Sequence, residues 1–260
     1  MPSYQTNDAV CLRVRDFSET SQIVAVFAQD HGLVPLIAKG SKRTTKKGNS
    51  GTVSGPLDLL SRGQVVFIPA KGATELGTLV AWELEDPRSA LRTSLAAMNA
   101  ALVLTEVTLL LLHPYDPHPE LYAEFSAALA LLPGAQRTRA VVAYVKAALT
   151  AAGYQPHLDA CVNCGAPMVA DAPLRYSPRA GGVICGKCPA QGAFVPTQGR
   201  IIVALERLES PTVLLAAPPE RAADPVALSQ ALGLLLAHAE EITGKRLKTR
   251  ALIESVFGAA

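Results

Sequence analysis

The first third of the chain carries short runs in which apolar and polar positions alternate, which is the period of a half-buried β-strand. In the run from position 8 to 15, this alternation predicts that Val10, Leu12 and Val14 share one face. It therefore places Cys11, Arg13 and Arg15 together on the opposite face. Further strand-like runs occupy positions 22–29, 33–38, 57–60, 65–68 and 74–82.

The second and third runs are separated by Asp30-His31-Gly32, which predicts a hairpin turn with the glycine at positive φ. About five short strands with no helical period among them are typical of a small closed sheet. The pattern predicts an OB-type five-stranded β-barrel at the N-terminus.

The rest of the chain shows the helical period. Asp86-Pro87 has the form of an N-cap followed by proline at the first helical position. It predicts a long helix that ends before His113-Pro114, with an apolar stripe through Leu91, Leu95 and Met98. Further predicted helices are 119–132, 137–152, 197–208 with Thr197 as its cap, 226–242 capped by Asp224-Pro225, and 245–257.

Two C-x-x-C pairs interrupt this helical pattern, Cys161 to Cys164 and Cys185 to Cys188, with twenty residues between them. This spacing is typical of a zinc site with four thiolate ligands, and such a site is structural because no coordination position stays open. A pair of disulfides would need an oxidising compartment, and a redox dithiol would need only one pair. The fifth cysteine, Cys11, lies in a strand-like run, and we interpret it as an ordinary packed thiol.

These patterns predict a multidomain α+β protein, in which an all-helical body carries an inserted four-cysteine zinc module. The predicted parts are an OB-fold nucleic-acid-binding barrel at 1–82, a first helical part at 83–157, the zinc module at 158–196 and a second helical part at 197–260.

Charge changes this picture mainly through its distribution. The net charge is only +2, but positions 1–81 hold nine Lys or Arg and six Asp or Glu. Five cations fall between positions 39 and 47, which indicates either a solvated loop or a phosphate-binding loop. Because the loop joins the third and fourth strands of the predicted OB barrel, we favour nucleic acid, bound through its phosphates and weakened by salt. The candidate DNA-binding residues are Arg13, Arg15, Lys39, Lys42, Arg43, Lys46 and Lys47.

A second basic segment begins the last predicted helix. Its cations are Lys245, Arg246, Lys248 and Arg250. They form either a solvated face or a site for an acidic partner, because like charges in a first turn oppose the helix dipole.

No catalytic set is evident, which favours a binding protein over an enzyme. His118-Pro-Glu120 upstream of the first cysteine pair suggests a zinc deaminase, but Ala160 stands where that motif has proline. The deaminase alternative would also leave the second cysteine pair without a role. The sequence shows neither a signal peptide nor an apolar run long enough to span a bilayer, so we expect a cytoplasmic protein.

Together, the basic barrel, the helical body and the cysteine pairs resemble the bacterial RecO family of recombination mediators. The most specific segments are Asp16-Phe-Ser-Glu-Thr-Ser-Gln-Ile-Val-Ala-Val-Phe, His31-Gly-Leu, Ala38-Lys-Gly and Gly244-Lys-Arg-Leu-Lys-Thr-Arg. The four cysteines match those family members that keep zinc.

This resemblance implies a non-enzymatic DNA repair protein, associated with the nucleoid, that binds single- and double-stranded DNA and anneals complementary strands. It also implies that the protein associates with RecR and helps to load RecA onto strands covered by single-strand-binding protein (SSB). The acidic C-terminal tail of SSB is then a candidate partner for the basic segment that begins at Lys245. The alternatives are an OB-fold RNA-binding factor and a zinc-dependent nucleobase-modifying enzyme.

Overall fold

The structure is a computed structural model that describes residues 3–42, 57–70, 76–168, 173–189, 192–217 and 224–257. Its strands are β1 (Gln5–Asp16), β2 (Gln22–Ala28), β3 (Gly32–Ala38), β4 (Arg62–Ile68), β5 (Gly77–Asp86), β6 (Pro173–Ser177), β7 (Gly182–Cys185) and β8 (Val195–Gln198). Its helices are α1 (Ser89–Arg92), α2 (Leu95–Leu111), α3 (Pro119–Leu131), α4 (Arg137–Ala151), α5 (Gly199–Glu206), α6 (Pro211–Ala216), α7 (Pro225–Thr243) and α8 (Arg250–Phe257).

The chain forms two compact units. The first comprises Met1–Arg92 with Leu112–Tyr122, and the second comprises Thr93–Leu111 with Ala123–Ala260. The four-part domain division given above stays a prediction. Among the described helices, none combines the length and the apolar character that a membrane span requires.

The first unit contains the predicted five-stranded closed barrel, with the strand order β1-β2-β3-β5-β4. All neighbours pair antiparallel except β3 and β5, which are parallel. The predicted hairpin between β2 and β3 is confirmed, and Gly32 has a φ of +64°. A side chain there would meet the carbonyl oxygen of Asp116 at 1.8 Å, so only glycine fits.

The predicted alternation along β1 is wrong in its phase because the strand contains a β-bulge. Cys11 pairs with Val26, but the next pair on β2 is Arg13 with Ala25, which leaves Leu12 as the extra residue. As a result Cys11 points into the barrel core, whereas the prediction placed it outward. Without the bulge, the alternation would carry the two arginines inward with Cys11; with it, both are exposed as predicted.

Residues 57–60 do not form the predicted strand. Leu57 belongs to the barrel core instead, and Leu60 adopts a φ of +67° in a turn. The Leu60 amide donates to the Cys11 carbonyl oxygen at 2.7 Å. Leu57 and Leu60 are apolar because they are buried at the barrel.

The predicted long helix after Asp86-Pro87 is also wrong in its start. The Asp86 side chain accepts from the Arg88 amide at 2.7 Å, and Arg88 adopts a φ of +50°, so the chain turns before α1. The long helix α2 begins only at Leu95, where the Ser94 hydroxyl accepts from the Ala97 amide. Leu95, which was predicted to lie on the apolar stripe, is 76% exposed.

The predicted helices α3 and α4 both end within a residue of their expected positions, and α4 and the part of α3 from Ala123 onward belong to the second unit. The predicted cap of α7 is confirmed, since the Asp224 carboxylate accepts from the Val226 amide at 2.9 Å, and Gly244 ends the helix with a φ of +63°. Thr197 lies in β8 rather than capping α5, which begins two residues later.

The segment that carries the cysteine pairs contains a small sheet that the sequence patterns did not predict. Its strand order is β7-β6-β8, and both pairings are antiparallel. The helix α6 was not predicted either. All three strands have only four or five residues, too few for a clear alternation to show.

Candidate nucleic-acid interface and metal centre

The outer face of β1, β2 and β3 brings together three of the predicted DNA-binding residues. In the pairing registers, outward residues of β1, β2 and β3 lie opposite one another in rows, which we call ranks. Two ranks lie within the strands, Arg13–Ala25–Pro35 and Arg15–Ile23–Ile37. Beyond the ladder, the Phe17 amide donates to the Ser21 carbonyl oxygen at 3.0 Å, and the Gly40 amide donates to the Ser21 hydroxyl at 3.3 Å. The first bond continues the β1–β2 register, and the second holds the chain after Ala38 beside Ser21, so that Phe17, Ser21 and Lys39 form a third rank. We call these nine positions the outer barrel face.

Cations line the edges of the outer barrel face, and apolar residues fill its middle. Arg13, Arg15 and Lys39 are exposed, and none has an ion-pair partner in the described part of the chain. The apolar positions between them, Ala25, Pro35, Ile23 and Ile37, are half-buried. Free cations beside an accessible apolar surface are an arrangement that can hold phosphates and bases at once.

Lys42 differs from these three cations because its charge is already paired. Its ammonium nitrogen lies 2.6 Å from a carboxylate oxygen of Asp16. The sequence patterns did not single out Asp16, which contributes a negative charge beside the predicted site. Arg43, Lys46 and Lys47 lie outside the described residues.

The four paired cysteines form one cluster in the second unit. The Sγ atoms of Cys161, Cys164, Cys185 and Cys188 all lie within 4.8 Å of one another. Those of Cys164 and Cys185 are 3.8 Å apart, which matches the edge of about 3.8 Å in a tetrahedron with metal–sulfur bonds of about 2.3 Å. The cluster is therefore positioned to bind a metal ion with four sulfur ligands, as zinc sites do.

Each cysteine pair lies in a tight turn that aims its sulfurs inward. The Gly165 amide donates to the Cys161 carbonyl oxygen at 2.8 Å, and Gly165 takes a φ of +70°. The Cys188 amide closes the second turn on the Cys185 carbonyl oxygen at 3.3 Å. Contacts along β7 join the two turns, since the Val162 amide donates to the Val183 carbonyl oxygen at 3.0 Å and the Cys185 amide donates to the Cys161 sulfur.

The pKa values of the cysteine thiols also favour binding of a metal cation by the cluster. Burial raises the pKa of Cys161, but amides of Cys185 and Asn163 donate to its sulfur and lower that pKa overall to about 6. By contrast, the thiol of Cys188 donates to the sulfurs of Cys164 and Cys185, which raises its pKa to about 12. Four adjacent sulfurs cannot all ionise alone because their charges repel, and a divalent metal removes that repulsion.

Arg175 supports the second cysteine turn, and cysteine spacing alone does not reveal it. Its Nη2 atom donates to the carbonyl oxygens of both Cys185 and Cys188, at 3.1 Å in the first case. Its guanidinium carbon also lies 5.5 Å from the centre of the Phe194 ring. The arginine therefore places a positive charge beside the cluster and fixes the backbone that carries two of its sulfurs.

The basic segment near the C-terminus does not begin a helix at Lys245 as predicted, because α8 starts at Arg250. The Glu106 carboxylate accepts from the amides of Lys248 and Thr249, at 2.9 and 2.8 Å. Glu240 accepts from the Leu247 amide and pairs with the Arg250 guanidinium. Two internal carboxylates thus hold the segment, while the side chains of Lys245, Arg246 and Lys248 stay exposed.

Two further residues considered in the sequence analysis, His118 and Cys11, do not belong to the four-cysteine cluster. His118 lies 3.2 Å from an Asp116 carboxylate oxygen, and the four-sulfur cluster is assembled without a histidine. Cys11 is fully buried in the barrel core, and burial raises its pKa to about 12. These contacts confirm that Cys11 is a packed thiol.

Comparison with known proteins gives matches over nearly the whole chain. The family model described as "Recombination protein O N terminal" matches residues 1–88, and "Recombination protein O C terminal" matches residues 92–251. A protein named DNA repair protein RecO from Anaeromyxobacter dehalogenans (strain 2CP-C) is 31% identical over 95% of this chain and 94% of its own length. Proteins of the same name from Rhodopirellula baltica (31% identical, 78% and 74% covered) and Desulfitobacterium hafniense (strain DSM 10664 / DCB-2) (26%, 74% and 67%) also match.

Proposed function

The chain belongs to the RecO family of DNA repair proteins, and on that premise we propose that it is a recombination mediator. In this proposal it binds single- and double-stranded DNA and anneals complementary strands. Together with RecR, it promotes loading of RecA onto DNA coated with SSB. It works without catalysis, in the cytoplasm and in association with the nucleoid.

The observation that carries this proposal is the set of free cations on the outer barrel face. Arg13, Arg15 and Lys39 are exposed there, and a charge without an internal partner can neutralise a phosphate without first breaking an ion pair. Contacts to phosphates are independent of base sequence, which suits a protein that must act on any complementary pair of strands. Lys42, Arg43, Lys46 and Lys47 extend the proposed DNA site along the chain.

The dependence of affinity on salt tests this assignment. For single-stranded DNA, each phosphate contact contributes about 0.7 to the slope of log affinity against log salt. Changing Arg13, Arg15 and Lys39 together to Ala is therefore expected to reduce that slope by about 2. The matched control changes three exposed cations of the second unit, Arg179, Lys187 and Arg207, and should leave the slope within about 0.5 of the wild-type value.

Strand annealing tests the mediator role itself. We expect the barrel triple variant to anneal complementary strands more slowly than the control variant. Annealing that stays intact after Lys39, Lys42, Arg43, Lys46 and Lys47 are all changed to Ala would show that this basic run is not the DNA site. Equal affinity for RNA with no annealing of DNA would favour an RNA-binding factor instead.

We also propose that the metal in the four-cysteine cluster is a single zinc ion with a structural role. Four thiolates complete a tetrahedral zinc and leave no position for water or substrate. All four candidate ligands lie in the cluster described above. When bound, zinc supplies positive charge that keeps the sulfurs ionised and joins the two cysteine turns.

The proposed partner site on the second unit is the exposed part of the basic segment, Lys245, Arg246 and Lys248, with Arg250 beside it. An acidic peptide such as the C-terminal tail of SSB has the complementary charge. A labelled acidic tail peptide should bind the wild-type chain more tightly than a variant with Lys245, Arg246 and Lys248 changed to Ala. Equal binding by the two proteins would exclude this segment as the peptide site.

A further inference from the structure

Phe17 is an exposed aromatic residue on the outer barrel face that no DNA-binding role given above uses. It follows the end of β1 and is 60% exposed. No ring contact involves it in the described part of the chain. Phe17 extends the half-buried apolar positions Ile23 and Ile37 of the same face, so it belongs to a contiguous apolar surface, which is the kind of surface that marks a binding site.

The turn around Phe17 is ordered by its own hydrogen bonds. The Phe17 and Ser18 amides both donate to the Ser21 carbonyl oxygen, at 3.0 and 3.2 Å. The Lys42 amide in turn donates to the Thr20 carbonyl oxygen at 3.1 Å, which joins this turn to the chain that follows β3. The ring is therefore presented by a backbone that is fixed before any ligand binds, which lowers the entropic cost of binding.

The register places this ring in line with the free arginines. Arg13 and Arg15 occupy alternate positions on β1, and Phe17 continues that alternation just past its end, so successive side chains on this face are about 6.7 Å apart. Ile23 and Ile37 continue the apolar surface toward β3, and Lys39 closes its far edge. Cations at the edges with an aromatic ring at one end match the two chemical parts of a single strand, its phosphates and its bases.

We infer that Phe17 is a stacking site for an unpaired nucleobase, held against it by a single strand whose phosphates contact Arg13 and Arg15. This inference rests on the proposed DNA-binding function. It adds a ligand class, the exposed base, and a preference for unpaired over paired DNA. In a duplex the faces of the bases are stacked on each other, so the ring has no base to contact.

The charges around Phe17 favour a base over a phosphate at this position. Asp16 precedes it and Glu19 follows two residues later, and both are exposed. Asp16 is partly neutralised by Lys42, but Glu19 has no ion-pair partner among the described residues. Two carboxylates repel a phosphate, whereas they leave an uncharged base unaffected. The phosphates are therefore expected beside the arginines and the base beside the ring.

Four variants separate stacking from other roles of the side chain. Phe17→Ala removes the ring, Phe17→Leu keeps apolar volume without an aromatic face, and Phe17→Trp keeps a stacking surface. Tyr4→Ala is the matched control, because Tyr4 is a similarly exposed aromatic (59%) that precedes β1 at its other end. Since both positions are exposed, all four variants should unfold at nearly the wild-type temperature.

Affinity for oligo-dT is the main measurement. Phe17→Ala and Phe17→Leu should each weaken binding by roughly 5- to 100-fold without changing the salt slope, since the ring carries no charge. Phe17→Trp and Tyr4→Ala should bind like the wild type. Binding to a duplex, or to a strand of the same length that lacks its bases, should be equal in all variants. The indole of Phe17→Trp should also lose fluorescence when oligo-dT is added, while duplex leaves it unchanged.

The outcomes distinguish this inference from the proposed function. If the barrel triple variant shows the expected fall in salt slope but Phe17→Ala binds oligo-dT as tightly as the wild type, the stacking site is wrong and the DNA-binding function stands. If Phe17→Leu keeps the wild-type affinity for oligo-dT, the contact between position 17 and DNA needs only an apolar side chain, and the stacking site is also wrong. A wild-type protein that binds no DNA would overturn both. A loss of partner-protein binding without a loss of oligo-dT affinity would identify Phe17 as a protein contact and overturn the inference.

Discussion

At the scale of single residues, Tyr176 and His238 form a buried hydrogen bond, with 2.7 Å between the Tyr176 hydroxyl and His238 Nδ1. Burial lowers the pKa of His238 below its ordinary value, and repulsion from His157 adds to this effect. Folded protein therefore resists protonation at this site more than unfolded protein does.

This difference predicts a loss of stability in acid. Above about pH 6.5 the histidine is neutral in both states, so it adds no pH dependence. As the pH falls below that value, the unfolded state takes up the proton first, and the free energy of unfolding falls by at most about 1.4 kcal/mol per pH unit. The fall levels off once the folded state is also protonated. Urea unfolding at pH 7.5 and 5.5 should show a smaller change between the two pH values for His238→Asn than for the wild type.

His113→Asn is the control for this comparison, because His113 is exposed. It should keep the full wild-type change between the two pH values. Equal changes for His238→Asn and the wild type would mean that burial of this imidazole does not contribute to acid sensitivity.

At the scale of secondary-structure elements, the start of α8 depends on a side chain from a distant helix. Glu106 of α2 accepts from two amides just before Arg250, and these amides would otherwise lack partners at the helix start. A carboxylate at a helix N-terminus is also favoured by the helix dipole.

Glu106→Ala is therefore expected to destabilise this end of the chain by about 1–2 kcal/mol. Amide hydrogen exchange should report the change as faster exchange at Lys248 and Thr249 and along the first turn of α8. Glu241→Ala, which removes an exposed carboxylate from α7, should leave exchange there unchanged. Slow exchange in Glu106→Ala would show that water or another group replaces the carboxylate without cost.

Elements with local signals could be predicted from the sequence, and those set by tertiary contacts could not. The hairpin at Gly32 and the Asp224 cap of α7 depend on a few adjacent residues, and both are confirmed. The start of α2 depends instead on how Asp86 and Arg88 turn the chain, which the cap-plus-proline pattern does not report. Similarly, nothing in the sequence from position 248 onward shows that Glu106, 142 residues earlier, replaces a local cap.

In the candidate sites too, features set by adjacent residues could be predicted from the sequence, and features set by neighbours in space could not. The cysteine cluster could be predicted because spacing within each pair already fixes the local turn. The arginines on β1 were placed on the exposed side, but the predicted partner on that side, Cys11, is buried because a bulge reverses the alternation. Whether a cation is free or paired also depends on a neighbour in space, as Lys42 and Asp16 show.

At the scale of the whole molecule, the four-cysteine cluster predicts a stability that depends on metal. A short segment with a small three-stranded sheet has little apolar core of its own, so metal binding there contributes directly to folding. Cys185→Ser should lose the metal and lower the melting temperature by roughly 6–12 °C, which corresponds to about 3 kcal/mol. Metal analysis should give one zinc per wild-type chain, and the folded fraction of Cys185→Ser should keep nearly the wild-type affinity for DNA.

Cys11→Ala is the control, since that thiol is buried in the barrel and is not part of the cluster. It should keep one zinc per chain even if its stability falls through lost packing. Selective loss of DNA binding in a fully stable Cys185→Ser protein would instead assign the metal a direct part in recognition.

The bulge at Leu12 determines which later residues of β1 face the barrel core and which face outward. Up to Val10 the strand is paired with β4 without a shift, and from Arg13 onward it follows a different register on β2. Removing Leu12 alone would leave Cys11 opposite Val26 and Arg13 opposite Ala25 in a regular ladder, so every side chain would keep its side. Straightening the bulge without removing a residue would instead exchange inside and outside for the rest of β1. A relative that lacks the bulge should therefore be aligned with a one-residue gap at position 12, because an ungapped alignment would equate its buried positions with exposed ones.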